Sequence, residues 1–168
     1  MAPIAVVVGP PGAGKTTVGQ AVADLLGAPF GDIDQLIEAH AGKPIPEIFF
    51  DDGEPAFRAL EVAAIAEALE SFDGVLALGG GAILDESTRT RLAGHTVVFL
   101  SVELTDAVKR VGLGAGRPLL SINPRATLKY LMEQRRPLYT AVATHVVATD
   151  GRTPEEIATE VVTLLKAA

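Results

Sequence analysis

The chain has 168 residues, of which 48% are apolar, so it can bury one substantial core within the usual size of a single domain. It contains no cysteine, which excludes disulfides, thiolate nucleophiles and cysteine-ligated metals and is typical of the reducing cytoplasm. Its formal net charge of −7 argues against a nucleic acid or an anionic membrane surface as the main partner.

The first predicted element is a strand at residues 4–8, where apolar residues follow one another without polar alternation. Such a run is typical of a central strand that is covered on both faces. It stops at Gly9, far short of the ~18 residues that a membrane span needs, and the start of the chain lacks the features of a secretory signal. We therefore expect a cytoplasmic protein that does not enter a membrane.

The segment after this strand, Gly9-Pro10-Pro11-Gly12-Ala13-Gly14-Lys15-Thr16, matches the P-loop pattern and opens a segment of helical spacing. The glycines let consecutive backbone N–H groups turn toward a phosphate, and the helix adds its positive N-terminal end. Lys15 can reach the β- and γ-phosphates, and the Thr16 hydroxyl can ligate Mg²⁺. The predicted ATP-binding residues of this segment are Gly12, Ala13, Gly14, Lys15, Thr16 and Thr17.

Two acids, Asp32 and Asp34, lie at the end of the next predicted strand. The later apolar run at 75–78 lacks the aspartate that many P-loop proteins place near Mg²⁺, so we expect a carboxylate from this pair. With a strand period of two, both acids would project to one side at the carboxyl end of a strand. One of the two acids could then face the hydrated Mg²⁺ while the other faces an acceptor hydroxyl. Alternatively, the acids cap the helix that follows.

The rest of the chain continues the alternation of short β-branched runs with segments of helical spacing. Runs at 75–78 and 96–100 are typical of strands, and helices are expected at 17–26, 86–92 and 105–111. The last helix should begin with Thr153 as N-cap, Pro154 at the first position and Glu156 three residues after the cap. The alternation predicts an α/β fold with a parallel sheet, in one domain over residues 1–168.

Glycine is concentrated in two further segments. Gly79-Gly80-Gly81 follows a predicted buried strand, which favours a close approach to this backbone over a plain turn. Residues 112–116 contain three glycines and precede Arg117-Pro118, so they are a poor helix and a candidate hinge for a closing loop. The alternatives are a plain turn and an ordinary surface loop.

These segments, in their order and spacing, resemble the shikimate kinase family over nearly the whole chain. The resemblance implies a three-layer α/β/α fold of the P-loop NTPase type, similar to nucleoside monophosphate kinases, with a parallel sheet of about five strands. It also implies a substrate-binding segment at about 33–61 and a mobile lid at about 112–124. The segments that carry it are the P-loop, 32–34 with Glu38, 48–49, 53–61, 78–82, 117–120 and 135–139.

The activity implied by the resemblance is ATP-dependent phosphorylation of shikimate to shikimate 3-phosphate in aromatic amino-acid biosynthesis. Asp34 would bind ring hydroxyls and orient or deprotonate the attacking one. Arg58 and Arg135 would hold the substrate carboxylate, although the adjacent Arg136 could take part of this role. Gly79, Gly80 and Gly81 would let the substrate lie against backbone. By spacing alone, Arg58 and Glu61 could equally form an ordinary surface ion pair.

The resemblance also implies the catalytic residues, the adenine contacts and the cofactor. Lys15, Asp34 and Arg117 would be the catalytic residues, with Arg117 reaching the transferring phosphate from the lid. Arg110 and Arg152 would lie near the adenine. Mg²⁺ would be the cofactor, held by Thr16 and Asp32. We expect a monomer that binds ATP and shikimate but neither nucleic acid nor a membrane.

Two other functions compete with this interpretation. One is a P-loop kinase for another small acceptor, such as gluconate or a nucleoside monophosphate, because the loop also resembles that of adenylate kinase. A nucleotide acceptor, however, would require a second base pocket and further phosphate-binding arginines. The other is a non-catalytic module that senses ATP, which would have no use for Asp34 at an acceptor site.

Overall fold

The computed structural model describes residues 2–103 and 124–167. Its five strands are β1 (Ala5–Val8), β2 (Phe30–Asp32), β3 (Val75–Ala77), β4 (Val97–Ser101) and β5 (His145–Ala148). They form one sheet in the order β2-β3-β1-β4-β5, and every neighbouring pair is parallel. The predicted parallel sheet of about five strands is therefore confirmed.

Helices connect the strands and cover the sheet. They are α1 (Lys15–Leu26), α2 (Ile33–Ala41), α3 (Ile45–Asp52), α4 (Glu54–Ser71), α5 (Glu86–Leu92), α6 (Pro124–Val142) and α7 (Pro154–Ala167), with a 3₁₀ turn at Ala82–Leu84. The predicted substrate-binding segment at 33–61 spans α2, α3 and the start of α4. Residues 112–123 of the predicted lid lie outside the described residues, as do the helix predicted at 105–111 and both Arg110 and Arg117.

The core consists of two apolar clusters on opposite faces of the sheet. In β1, Val6 and Val8 belong to one cluster and Val7 to the other, because successive side chains of a strand point to opposite faces. Residues of α2, α3 and α4 pack in the first cluster, whereas residues of α1 and α7 pack in the second. The fold thus has the three layers that the sequence predicts, and β1 is buried along its whole length.

The last helix begins as predicted. The Glu156 backbone N–H donates to Thr153 Oγ1 at 3.2 Å, and the Thr153 N–H donates to Glu156 Oε1 at 3.2 Å. This reciprocal pair satisfies N–H groups that the start of a helix would otherwise leave without acceptors. Within residues 2–103 and 124–167, no helix combines the length and the apolar character that crossing a membrane requires.

Candidate active site

The candidate active site lies where the carboxyl ends of β1, β2 and β3 meet at one edge of the sheet. Because the three strands are parallel and adjacent, the segments that follow them converge although they are far apart in sequence. They surround a cleft of about 560 Å³. The predicted site residues that line it are Gly12, Ala13, Gly14, Lys15, Thr16, Thr17, Asp32, Asp34, Gly79 and Arg152.

The P-loop turns the chain from β1 into α1 and presents backbone N–H groups to this cleft. Gly12 and Gly14 have φ angles of 85° and 83°, which residues with a Cβ rarely adopt. Gly14 caps α1 without a side-chain acceptor, and the first turn of α1 contains no acidic residue. The positive potential at the start of α1 is therefore available to an anion in the cleft.

The Lys15 ammonium contacts the backbone of the P-loop. Its Nζ donates to the carbonyl oxygen of Gly9 at 2.8 Å and to that of Pro10 at 3.0 Å. Lys15 also lines the cleft. A flexible side chain at this position can exchange these neutral acceptors for phosphate oxygens, which are stronger partners for a cation.

Asp32 forms hydrogen bonds with residues of both α1 and α2. The Thr16 hydroxyl donates to Asp32 Oδ2 at 2.6 Å, and the Asp34 backbone N–H donates to Asp32 Oδ1 at 2.9 Å. The second bond makes Asp32 the N-cap of α2, so the capping alternative for Asp32 is correct. The first bond leaves a hydroxyl and a carboxylate side by side in the cleft, and oxygens of this kind suit Mg²⁺.

The two acids do not share a strand face, and this expectation is wrong. β2 ends at Asp32, and Asp34 lies in the first turn of α2, because the Asp32 cap turns the backbone into a helix at Ile33. Asp34 nevertheless lines the same cleft as Asp32. The capping turn therefore keeps both carboxylates at the active-site edge by a different geometry.

The triple glycine lets three segments approach its backbone closely. A Cβ added to Gly79 would lie 3.0 Å from Asp34 Oδ1, and one added to Gly80 would lie 3.1 Å from Pro11 Cδ. A Cβ on Gly81 would lie 2.5 Å from Arg58 Nη2, a distance that real contacts do not reach. Protein atoms therefore approach this backbone closely, and the segment is also a turn, because the Ala82 N–H donates to the Gly79 carbonyl at 3.2 Å. Contact between this backbone and a substrate stays a prediction.

Arg58 on α4 is oriented by two carboxylates. Its Nη1 donates to Glu61 Oε1 at 2.8 Å, and its Nη2 pairs with Glu54 Oε2 at 3.3 Å. Glu61 is only 2% exposed, so this pair differs from the ordinary surface ion pair that the spacing allowed. The guanidinium carbon also lies 5.2 Å from the centroid of the Phe57 ring. Arg58 is thus held in one orientation beside Gly81.

Arg135 and Arg136 on α6 face different parts of the molecule. Arg135 is 5% exposed and lies beside the Tyr139 hydroxyl, close enough to Arg58 to be affected by its charge. Burial lowers the pKa of Arg135, and its Nε has no hydrogen-bond partner among the described residues. Arg136 is exposed and lines a separate cavity of about 170 Å³. The fold therefore brings Arg135 toward Arg58 and directs Arg136 elsewhere.

Of the three arginines predicted to lie near the nucleotide outside the P-loop, the structure describes only Arg152. It lines the cleft together with Pro154 and Ile157. Its guanidinium donates to the Ala148 carbonyl at 2.8 Å and pairs with Glu160 at 2.7 Å. Arg152 is therefore anchored at the P-loop end of the cleft, where its predicted contact with the adenine stays a prediction.

Comparison with known proteins identifies the family. The family model described as shikimate kinase matches residues 11–166. The shikimate kinase of Salinispora arenicola is 69% identical over 167 residues, which cover 99% of this chain and 100% of that protein. The chain belongs to the shikimate kinase family. This membership confirms the predicted activity, that of a shikimate kinase.

Solved structures agree with this assignment. A shikimate kinase from Acinetobacter baumannii, in complex with shikimate, is 37% identical to this chain with a TM-score of 0.94. The match covers 99% of this chain and 94% of that one. A gluconokinase from Sinorhizobium meliloti 1021 is 24% identical with a TM-score of 0.60, over 97% of this chain and 91% of that one. The second likeness shows the shared fold alone.

Two residues to which the sequence assigned no positioning role contact predicted site residues: Glu61 pairs with Arg58, and Tyr139 donates to Gly80. Glu61 lies one turn after Phe57 and one turn before Ile65, both of which are buried on α4. An acid on the buried stripe of a helix needs a partner, so this spacing could have indicated a structural role for Glu61. Tyr139 is 1% exposed and donates to the Gly80 carbonyl, which no local pattern indicates.

Proposed function

We propose that this shikimate kinase transfers the γ-phosphoryl group of Mg²⁺-bound ATP to the 3-hydroxyl of shikimate along the described cleft. The P-loop would hold the phosphates, and the acceptor would lie between Asp34, Arg58, the triple glycine and Arg135. The observation that carries this proposal is the position of the Arg58 guanidinium against Gly81 at the same sheet edge as the P-loop. A P-loop alone would serve many reactions, so the acceptor side defines this one.

The nucleotide half of the site would act through charge and position. Backbone N–H groups at the start of α1 would hold the phosphates, and Lys15 would leave the Gly9 and Pro10 carbonyls to contact the transferring group. Mg²⁺ would neutralise phosphate charge when bound. Thr16 and Asp32 suit it as oxygen donors, and the described residues contain no group of three acids or histidines that could hold it alone.

The acceptor half would recognise a carboxylate and orient a hydroxyl. Arg58 is already oriented by Glu54 and Glu61, so less side-chain entropy would be lost when it binds an anion. Arg135 is a buried cation whose Nε has no partner in the described part of the chain, and a substrate carboxylate would offset that burial. Asp34 lies beside Gly79, where it would orient or deprotonate the attacking hydroxyl.

We further propose roles for three arginines outside the P-loop. Arg117 would stabilise the transferring phosphate, and Arg110 and Arg152 would contact the adenine. We also propose a cytoplasmic monomer that binds no nucleic acid and no membrane surface, and the net charge of −7 supports small-molecule partners over polyanions.

We expect Arg58→Ala and Arg135→Ala to weaken shikimate binding by roughly 2–5 kcal/mol, the scale for truncating one partner of a buried charge pair. Affinity for ATP should change little, because neither arginine lines the cleft around the P-loop. Isothermal titration with each ligand in turn measures both quantities.

Arg136→Ala is the matched control for Arg135→Ala, since it removes the same group from the next position of the same helix. Arg136 is exposed and lines a different cavity, so its loss should leave shikimate affinity close to that of the wild type. Unchanged shikimate affinity in both Arg58→Ala and Arg135→Ala would show that shikimate does not bind between these two arginines. The P-loop could still be the ATP site in that case.

Removal of Mg²⁺ by a chelator should abolish turnover, because protein cations could not replace its charge. Among the described residues, the cations that line the cleft are Lys15 and Arg152, and Arg152 is already paired with Glu160. Activity should return when Mg²⁺ is added in excess of the chelator. The measurement is ADP release at saturating ATP and shikimate. Sustained turnover in excess chelator would contradict the metal-binding role of Thr16 and Asp32.

A further inference from the structure

The triple glycine needs to be held in place, because it has no side chains of its own with which to pack. Its first and third carbonyls have local partners: the Ala82 N–H donates to Gly79 O at 3.2 Å, and the Leu84 N–H donates to Gly81 O at 3.1 Å. The middle carbonyl, that of Gly80, accepts from the Tyr139 hydroxyl, which is 59 positions away in the chain. Tyr139 thus links α6 to this segment.

The hydroxyl of Tyr139 is itself fixed by the core. Its ring stacks on that of Phe99 in β4 with 5.1 Å between the centroids, and the residue is 1% exposed. Burial raises the pKa of Tyr139 to about 12, so the phenol stays protonated and can donate at neutral pH. The sheet therefore determines where the phenol lies, and the phenol determines where the Gly80 carbonyl lies.

Tyr139 also lies one helical turn after Arg135, and the two side chains are neighbours. The same turn of α6 therefore carries an acceptor-site arginine and the hydroxyl that holds the triple glycine. Gly81, the last residue of that segment, lies under the guanidinium of Arg58. A shift of the segment would consequently move the backbone under Arg58 relative to Arg135.

We propose that Tyr139 is a positioning residue for the acceptor site: its hydroxyl fixes the triple glycine relative to Arg135 and so sets the gap that the substrate carboxylate enters. Tyr139 acts through Gly80 and Arg135 and does not itself contact the reacting atoms. This inference rests on the proposed acceptor site, and it adds a residue that neither arginine nor glycine patterns indicate.

Tyr139→Phe tests the inference, because it keeps the ring that stacks on Phe99 and removes only the hydroxyl. We expect the KM for shikimate to rise roughly tenfold, the effect of leaving one buried acceptor without its partner. The KM for ATP should change much less, and kcat should stay within a few-fold of the wild-type value. Tyr130→Phe is the matched control, since Tyr130 lies on the same helix but is 62% exposed.

Arg135→Ala in the same series separates this inference from the proposed function. If Arg135→Ala weakens shikimate binding and Tyr139→Phe does not, the acceptor site stands and the positioning role is wrong. Equal increases in the KM of both substrates, together with a lower Tm, would also overturn it, because they would indicate a general structural role. A double variant should lose less shikimate affinity than the two single losses combined, whereas simple additivity would contradict coupling through Arg135.

A second measurement does not depend on the folding of Tyr139→Phe. The chain has two tyrosines and no tryptophan, so in Tyr130→Phe the intrinsic emission comes from Tyr139 alone. Saturation with shikimate should change this emission, because the neighbouring Arg135 gains a carboxylate partner. Emission that stays constant through saturation would overturn the inference.

Discussion

Lys15→Met should lower kcat by roughly two to three orders of magnitude, because the ammonium is proposed to stabilise charge that develops on the transferring phosphate. Methionine keeps most of the length and the apolar stem of lysine. The two hydrogen bonds to Gly9 and Pro10 would be lost, which should cost only about 1–2 kcal/mol of folding free energy. Steady-state kinetics at saturating ATP and shikimate, with a thermal melt, measure both effects.

Lys129→Met is the control for this substitution. Lys129 lies on α6, and its side chain is 62% exposed, with its Nζ 3.9 Å from Glu133 Oε1. A surface pair of this kind contributes little, so the control should retain wild-type kcat. Near-wild-type turnover in Lys15→Met would contradict the assignment of the P-loop lysine to catalysis.

Asp34→Asn should lower kcat by roughly two orders of magnitude or more, because the amide keeps the shape of the carboxylate but cannot accept the proton of the attacking hydroxyl. Affinity for ATP should be almost unchanged. If kcat falls by a larger factor than the KM for shikimate rises, Asp34 acts mainly in the transition state and not in the binding of shikimate. The measurement is the dependence of ADP release on each substrate.

Asp73→Asn provides the matched control, since Asp73 is exposed and lies after α4, away from the cleft. It should leave both kcat and KM unaltered. If Asp34→Asn also kept a normal kcat, the acceptor hydroxyl could not lie against Asp34. The position of the acceptor would then be wrong, although the P-loop could still bind ATP.

Local patterns in the sequence predict the sheet and the phosphate loop well. Uninterrupted apolar runs such as residues 4–8 indicate burial on both faces, and the structure buries β1 from Ala5 to Val8, whereas Ile4 before it is 42% exposed. The capping box at Thr153 and Glu156 depends on residues three apart, so it too can be read from sequence. Features of this kind involve neighbours in the chain, and their physics is local.

The placement of Asp34 could not be predicted by strand periodicity, because a competing local interaction prevailed. Asp32 could either continue the strand or cap a helix, and the bond from the Asp34 N–H to its carboxylate selected the helix. The expected function of the pair did not depend on this detail, since either geometry leaves both carboxylates at the same sheet edge.

The roles of Arg135 and Tyr139 could not be predicted from the sequence, because they depend on residues that are distant in the chain. The choice between Arg135 and Arg136 depends on the rotation of α6 against the sheet, which places one side chain inside and the other in solvent. The role of Tyr139 depends on a carbonyl 59 residues away. No pattern within a single element contains such information, so these roles emerge only from packing.

Shikimate should be the phosphoryl acceptor of this chain, and ADP release by the wild-type protein with one acceptor at a time measures this. Shikimate, gluconate and AMP should be supplied separately with Mg²⁺ and ATP, and the product should be identified. We predict rapid ADP release with shikimate, formation of shikimate 3-phosphate, and background rates with the other two. Background turnover with shikimate, or faster turnover with gluconate or AMP, would show that shikimate is not the acceptor.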